Sequence, residues 1–254
     1  MVADQLAHAP QNGFRMTQAT LVAQDSLERS AEPAPSPAVA NPAHVFSPSL
    51  VTLSRPQDGP AEAIRALRTY VMTHHVQEGR RALAVCAASS GVGCTFTAAN
   101  LAVALSHIGV KTLLIDGNLR SPGIDQLIQP PGPMDGLRQC LASYDANFND
   151  SIDSDVLPGL SMMYAGGVAS NPQELLAGHR FKDLMEFCLR DYEATIVDTT
   201  AANSCSDARR VSTVVGYSLL VERINKSYVD DLKTLTAQLQ GDHARVVGTV
   251  LNEA

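Results

Sequence analysis

The sequence lacks the features that mark membrane-spanning, secreted and nucleic-acid-binding proteins. No apolar run approaches the length needed to cross a bilayer, and the first residues do not show the charged-then-apolar pattern of a signal peptide. The formal net charge of -7 argues against a general affinity for nucleic acid or anionic lipid. We therefore expect a cytoplasmic protein with no nucleic-acid partner.

The cysteines also lack a recognisable framework. No pair shows C-x-x-C spacing, and the set fits neither a disulfide network nor a zinc site. We interpret them as reduced thiols in a cytoplasmic protein. The five cysteines are Cys86, Cys94, Cys140, Cys188 and Cys205.

Composition divides the chain into an arm and a domain. Residues 1–57 are rich in Ala, Pro, Gln and Ser and hold few large apolar residues, so we predict a disordered arm. Its apolar patches at 45–46 and 50–53 leave a second interpretation open, in which they add an edge strand or dock on a partner. Residues 58–254, in a chain that is 45% hydrophobic, form the predicted domain with one substantial core.

Helical and strand patterns alternate through the predicted domain. Fully apolar strands separated by helices predict an α/β fold with a mostly parallel sheet and helices on both faces. In such sheets, ligands bind at the carboxyl ends of the strands. Strands are predicted near 82–86, 112–116, 160–164, 194–197, 218–221 and 246–251. Helices are predicted near 61–76, 95–107, 172–191, 205–215 and 228–240.

Residues 87–96, AASSGVGCTF, predict a phosphate-binding loop between a strand and a helix. There, backbone N–H groups and the helix N-terminus can bind phosphate oxygens. Gly91 and Gly93 permit close approach, and Thr95 can offer its hydroxyl to Mg²⁺. The motif G-x-x-x-x-G-K-[ST] is incomplete, because Ala88 replaces its first glycine and Cys94 replaces its lysine.

Two acidic residues follow predicted strands at the same edge of the sheet as the loop. Asp116 ends the run TLLID, and Asp198 follows Ile196-Val197. A carboxylate after an apolar strand is how P-loop folds hold Mg²⁺ and its waters. The alternative for each is an ordinary solvated loop acid or helix cap.

From about Val51 to Asn252, the chain resembles the cytoplasmic domains of bacterial tyrosine kinases, which are relatives of the deviant-Walker P-loop ATPases. The loop and its TAANLA helix resemble the Walker A region, and LLIDGNLRSP at 113–122 resembles the second Walker motif. IVDTT at 196–200 resembles Walker B, and NPQELL at 171–176 and GTVLN at 248–252 resemble further family segments. The resemblance implies a P-loop NTPase-like fold that uses ATP or ADP and Mg²⁺.

The resemblance also assigns site residues. It implies nucleotide contacts for the loop residues Ser90, Gly91, Val92, Gly93, Cys94, Thr95 and Phe96. It implies Mg²⁺ contacts for Thr95, Asp116 and Asp198 and catalytic positions at Asp116, Asn118 and Asp198.

Glu62, Arg65 and Arg68 form an E-x-x-R-x-x-R motif on one helical face. In the family this motif joins subunits into a ring, so the resemblance implies a homo-oligomer. The alternative is a solvated face with an intrahelical ion pair worth a few tenths of a kcal/mol.

Several departures from the family bear on activity. Cys94 supplies no ammonium, so nucleotide affinity should fall roughly ten- to a few-hundredfold, unless a substitute cation such as Arg120 acts. We interpret Cys94 as a small tolerated residue; a thiol activated by the helix N-terminus is the alternative. Asn118 replaces the second acid of D-x-D and cannot accept a proton. The last residues, Leu251 to Ala254, lack the family's tyrosine cluster, so we expect no acceptor there.

The resemblance and its departures predict a degenerate member of the family, a pseudokinase. It would regulate biosynthesis and export of an exopolysaccharide, capsule or adhesin polysaccharide. Its implied partner is a membrane polysaccharide co-polymerase of the chain-length-determinant type, which would hold it at the inner membrane.

Two alternatives remain open. One is an active ATP-dependent protein tyrosine autokinase or ATPase that uses a substitute cation. The other is a partition-type positioning ATPase. Such proteins usually carry a further lysine early in the loop, where this chain has Ser89 and Ser90, and the acidic charge balance also disfavours this alternative.

Overall fold

Apolar strands form a seven-stranded sheet in the computed structural model, which describes residues 44–253. The strand order is β5-β6-β3-β7-β2-β8-β9, and only the β5–β6 pair is antiparallel. The predicted mostly parallel sheet is confirmed. The strands of this sheet are β2 (Ala82–Ala87), β3 (Thr112–Asp116), β5 (Asp153–Leu157), β6 (Leu160–Met163), β7 (Ala194–Ala201), β8 (Tyr217–Arg223) and β9 (Arg245–Asn252). The remaining strands, β1 (Val45–Phe46) and β4 (Ile128–Gln129), form a separate antiparallel pair.

Helices cover both faces of the sheet, as predicted. They are α1 (Val51–Ser54), α2 (Gly59–Val71), α3 (Cys94–Ser106), α4 (Leu137–Ala142), α5 (Pro172–Ala177), α6 (His179–Asp191), α7 (Asp207–Val215) and α8 (Val229–Gly241). A π-helical turn at Met72–Val76 extends α2. The α2 and α3 helices pack on one face, and α5 to α8 pack on the other. Within residues 44–253, no helix is both long and apolar enough to cross a bilayer.

The structure differs from the predicted elements where short or edge segments are involved. The helix predicted over 172–191 is two helices, because Gly178 has extended backbone and separates α5 from α6. The edge strand β5 was not predicted, because only its last two residues, Val156 and Leu157, are buried. A strand that buries so little apolar surface carries no clear pattern in sequence.

The predicted boundary between arm and domain lies too far along the chain. Residues 1–43 are outside the described residues, but the segment from His44 to Leu53 packs against the domain, with Leu50 fully buried. The Asn100 side chain accepts a hydrogen bond from Val51 N at 2.9 Å and donates one to Ser49 O at 3.1 Å. These bonds satisfy backbone groups that would otherwise disfavour burial. The apolar patches therefore dock on this domain, which compositional bias alone did not predict.

The helix α3 fixes the phosphate loop against the core. All ten of its residues from Thr97 to Ser106 are buried, since the sheet lies on one side and α2 on the other. Several are alanines, which let the helix backbone approach the sheet closely. The loop between β2 and α3 is consequently held between two rigid elements.

His75 makes the fold sensitive to pH. Its ring is 1% exposed, and Nε2 donates to Ala82 O at 2.9 Å. Burial lowers the pKa of His75 to about 4, because the imidazolium would lose its hydration. An unfolded chain protonates histidine near pH 6.5, so the stabilisation is complete above that pH and is lost as pH falls towards 4.

We expect His75 to lower the free energy of unfolding by about 2 kcal/mol between about pH 7.5 and pH 5. His75→Phe should remove this part of the pH dependence, as measured by urea denaturation at both pH values. The control is His74→Phe, because His74 is the exposed neighbour in the same turn. An unchanged pH dependence in His75→Phe would contradict the assignment.

Candidate functional site

Strand pairing brings the predicted site residues to one edge of the sheet. The β7 strand lies between β2 and β3, so Asp198 is the direct neighbour of Asp116 in register. The phosphate loop leaves the carboxyl end of β2, immediately beside the same edge. The strand pairing therefore brings Asp116, Asp198 and the loop to one edge of the sheet, and the binding site at this edge stays a prediction.

Two glycines give the loop its path. Gly91 has φ of +67° and Gly93 has φ of +101°, which is the left-handed region that favours glycine. A side chain on Gly93 would collide with the Asn252 amide, and Asn252 Nδ2 donates to Val92 O at 3.0 Å. Because α3 begins at Cys94, the unpaired N–H groups of its first turn adjoin the loop. This arrangement fits a phosphate group.

The pair of Thr95 and Asp198 fits a bound Mg²⁺. Thr95 Oγ1 donates to Asp198 Oδ2 at 2.6 Å. The second carboxylate oxygen, Oδ1, is buried with no hydrogen-bond partner among residues 44–253. Burial raises the pKa of Asp198, and repulsion from Asp116 raises it further. A divalent cation would relieve both effects, and oxygen ligands are those that Mg²⁺ prefers.

Asp116 also shapes the turn after β3. Its carboxylate accepts hydrogen bonds from the N–H groups of Asn118, Gly123 and Ile124, each at 3.1 Å. Burial raises the pKa of Asp116, and these hydrogen bonds oppose the rise. Asp116 and Asp198 are 1% and 0% exposed, so the alternative of ordinary solvated loop acids is wrong for both.

The Cys94 thiol faces the protein interior. Its Sγ donates to Val85 O at 3.0 Å, which directs it to the strand below the loop. Burial and the nearby Asp198 raise the pKa of Cys94 well above its ordinary value. A reactive cysteine needs the opposite shift, so the structure disfavours the activated-thiol interpretation. Cys94 contributes its backbone N–H to the loop and no positive charge.

Asn118 and Arg120 are engaged in local structure. Asn118 Oδ1 accepts from Ser121 N at 3.0 Å, and this bond closes the turn that follows β3. The Arg120 guanidinium donates to both carboxylate oxygens of Asp207, at 2.7 and 3.1 Å. Arg120 is therefore a poor substitute for the missing loop lysine.

The remaining loop residues contribute backbone rather than side chains. Val92 is 1% exposed and belongs to the core on the α3 face. The Phe96 side chain packs against Val51 and Ile64, away from the loop. Ser90, the residue before Gly91, is exposed. For Val92 and Phe96, the nucleotide contacts that the resemblance implies could therefore come only from the backbone N–H groups.

The α2 motif forms an intrahelical ion pair. Arg65 Nε donates to Glu62 Oε2 at 2.8 Å, and Arg65 Nη1 donates to Pro56 O at 2.7 Å. Arg68 makes no hydrogen bond or ion pair with any other residue in the described range. The motif therefore presents a partly exposed charged face, and its role in oligomerisation stays a prediction.

Two basic residues beside the loop were not identified from sequence. Lys226 Nζ donates to Gly91 O at 3.1 Å, and Arg223 Nη1 lies 3.5 Å from the same oxygen. Arg223 is the last residue of β8, and Lys226 lies in the connection between β8 and α8, which is far from the loop in sequence. Basic residues in an exposed connection carry no motif, so only the fold could place them here.

A cavity of about 600 Å³ opens beside Asp116. Asp125, Arg138 and Tyr164 are among its lining residues. The Tyr164 hydroxyl is buried without a hydrogen-bond partner in residues 44–253, and burial raises the pKa of this phenol. The cavity lies beside the carboxyl ends of β3 and β6, because Asp116 ends β3 and Tyr164 follows β6.

Comparison with known proteins identifies relatives of this site. The model of the CobQ/CobB/MinD/ParA nucleotide binding domain matches residues 83–254. The CapB protein of Staphylococcus aureus is 29% identical over 202 residues, which are 78% of this chain and 86% of that protein. The tyrosine-protein kinase Etk of Escherichia coli K12 is 30% identical over 80% of this chain, but the match spans only 28% of Etk.

Solved structures that are similar to this chain include a tyrosine-kinase domain and a cell division ATPase. The kinase domain of Escherichia coli tyrosine kinase Etk has a TM-score of 0.75 and 29% identity, and the match covers 80% of this chain and 79% of that one. The chimerical protein CapA2B2 has a TM-score of 0.75 and 27% identity over 82% of this chain and 91% of that one. The cell division ATPase MinD of Pyrococcus furiosus, with a TM-score of 0.59 and 22% identity over 68% of this chain and 71% of that one, shares the fold.

The buried charge of Asp198 should lower the stability of the fold but be required for Mg²⁺ binding, and both effects can be measured. Asp198→Asn keeps an acceptor for Thr95 and removes a buried carboxylate, so we expect the free energy of unfolding to rise by about 1–3 kcal/mol near pH 8. The same change should abolish the added stability that Mg²⁺ with ADP gives to the wild type. Thermal and urea denaturation, with and without Mg²⁺ and ADP, measure both effects.

Asp183→Asn is the matched control, because Asp183 is an exposed acid on α6. It should change neither the stability nor the response to Mg²⁺ and ADP. A destabilised Asp198→Asn variant that still responds to Mg²⁺ would contradict the assigned role.

Proposed function

Because the chain belongs to the CobQ/CobB/MinD/ParA nucleotide-binding family, we propose that it is a nucleotide-binding pseudokinase of the bacterial tyrosine-kinase type. It retains a site for ATP or ADP with Mg²⁺ and has lost most or all phosphoryl transfer. Its proposed role is to regulate polysaccharide biosynthesis and export through a membrane co-polymerase. The inward-facing thiol of Cys94 is the observation that carries the proposal.

The binding half of the proposal rests on what the loop keeps. The left-handed glycines Gly91 and Gly93 expose N–H groups that can hold phosphate oxygens. Thr95 and Asp198 are positioned as a Mg²⁺ site, since one oxygen of Asp198 remains without a partner in the described part of the chain. Mg²⁺, when bound, would neutralise part of the phosphate charge.

The loss of transfer rests on two positions. A transferring phosphoryl group needs positive charge in the transition state even more than in the ground state, and Cys94 offers none. Asn118 cannot accept a proton from an attacking hydroxyl, and its side-chain oxygen is bonded to Ser121 N. We therefore expect the rate of transfer to suffer more than nucleotide affinity.

The partner half of the proposal rests on the resemblance to bacterial tyrosine kinases. In that family the E-x-x-R-x-x-R helix joins subunits, and the kinase acts with a membrane polysaccharide co-polymerase. Here Glu62 and Arg65 pair with each other, which leaves Arg68 as the charge available to a neighbouring subunit. The proposed location is the cytoplasm, at the inner membrane through this partner.

A lysine restored to the loop should reveal what the site has lost. We expect Cys94→Lys to tighten ATP binding roughly ten- to a few-hundredfold, because a charge-assisted hydrogen bond is regained. Isothermal titration with ATP and Mg²⁺ measures this affinity. Cys94→Ser, which changes the side chain without adding charge, should bind as the wild type does.

Phosphoryl transfer is measured in parallel with labelled ATP. The wild type should incorporate no more label than the Asp116→Ala/Asp198→Ala double variant does. Incorporation above that background, abolished by either single aspartate variant, would establish the alternative of an active autokinase. A positioning ATPase of the partition type shares the nucleotide-binding family and the fold, but the relative Etk, matched over 80% of this chain, is a tyrosine-protein kinase.

Arg68→Glu should weaken assembly without unfolding the chain. Because no hydrogen bond or close ion pair ties Arg68 to another described residue, reversal of its charge should disturb a neighbouring subunit more than the helix itself. We expect a lower oligomer mass in light scattering and loss of co-purification with the membrane co-polymerase. Arg190→Glu, an exposed reversal at the end of α6, is the control. A wild-type chain that stays monomeric with the co-polymerase present would refute the partner proposal.

A further inference from the structure

Lys226 lies against the phosphate loop. Its Nζ donates to Gly91 O at 3.1 Å, and a side chain on Gly91 would bring Cβ to 2.5 Å from that nitrogen. The loop thus packs around the ammonium at a glycine with left-handed backbone. This contact puts a full positive charge beside the loop whose own lysine position is occupied by Cys94.

The connection that carries Lys226 is itself ordered by hydrogen bonds. Ser227 Oγ accepts from Arg223 N at 2.9 Å, and Arg223 O accepts from Lys226 N at 3.2 Å and from Ser227 N at 3.0 Å. Asn225 adopts φ of +60°, which reverses the chain within this turn. The turn holds the backbone of Lys226 at a fixed position relative to the end of β8.

Lys226 is not neutralised by an acidic residue. Within residues 44–253, Gly91 O is the one hydrogen-bond acceptor for its ammonium, and no carboxylate lies within ion-pair distance. By contrast, Arg120 near the same edge is paired with Asp207, and Lys233 on α8 is paired with Asp230. An ammonium has three N–H donors, so two remain for phosphate oxygens or water.

We propose that Lys226 supplies bound nucleotide phosphates with positive charge in place of the lysine that Cys94 replaces. This inference rests on the proposed nucleotide binding. Arg223, with Nη1 at 3.5 Å from Gly91 O, adds a second charge on the same side of the loop. The cation reaches the loop from another strand connection instead of from the first turn of α3.

The position of the Lys226 charge should favour nucleotide binding more than phosphoryl transfer. Lys226 contacts a loop carbonyl, so its charge acts on the phosphates from the loop's outer rim. Such a charge attracts the ground-state phosphates, whereas transition-state stabilisation needs a donor placed at the transferring group. Lys226 therefore supports binding in a protein whose phosphoryl transfer is lost.

The test compares the affinity of the full chain and its variants for ATP with Mg²⁺. Lys226→Gln should weaken binding roughly five- to tenfold, because one unit charge near the phosphates is removed. Lys226→Arg keeps the charge and should bind within about twofold of the wild type. Lys233→Gln removes the same charge from an exposed site on α8 and should leave affinity unchanged.

A salt titration separates charge from structural support. The wild-type affinity should fall more steeply with ionic strength than that of Lys226→Gln, because screening acts on the charge that the variant lacks. Equal affinities of Lys226→Gln and wild type would overturn the inference while leaving the proposed function intact. Equal weakening by Lys226→Gln and Lys226→Arg would also overturn it. A wild type that binds no ATP would overturn nucleotide binding and this inference together.

Discussion

The pairing of β7 with both β2 and β3 is the constraint on which the site depends. It puts Asp198 in register with Asp116 and next to the strand that leads into the phosphate loop. Two buried carboxylates side by side repel each other, and each loses hydration. The fold tolerates this arrangement because Thr95 and three backbone N–H groups donate to the pair. One oxygen of Asp198 is left over, and that remaining acceptor makes the site suited to a cation.

Sequence predicted those parts of the fold that bury continuous apolar surface. The strands β2, β3 and β7 are buried almost throughout and carry apolar runs, so these runs and the acids Asp116 and Asp198 at their ends indicated the sheet and the edge where the site lies. Composition placed the segment around Leu50 in a predicted disordered arm, because prolines and serines flank it, and an edge strand or docking of its apolar patches remained the alternative. Its order depends on a buried amide, Asn100, which lies fifty positions away in the chain. Long-range hydrogen bonds of this kind leave no local pattern.

The same limit applies within the site. Cys94, Asn118 and Asp198 were assigned to the site from their positions in motifs, and the direction of each side chain was not predictable. Whether a thiol at the first turn of a helix is activated depends on its burial, and Cys94 is turned towards Val85 O. Lys226 illustrates the reverse case, because a basic residue without a motif becomes relevant only when the fold brings it to Gly91.

There is a physical reason why the phosphate loop can keep its structure with a cysteine at its lysine position. The glycine backbone, the helix N-terminus and the Thr95–Asp198 pair all serve the folded state as well as a ligand, since they fix how α3 joins the sheet. The loop lysine serves the bound phosphates, and its replacement by a thiol bonded to Val85 O leaves this packing intact. Under the proposed function, a cysteine at the lysine position therefore costs transfer without costing the fold. If the proposed function and the proposed role of Lys226 hold, the phosphate loop is kept for nucleotide binding, with the positive charge supplied by Lys226.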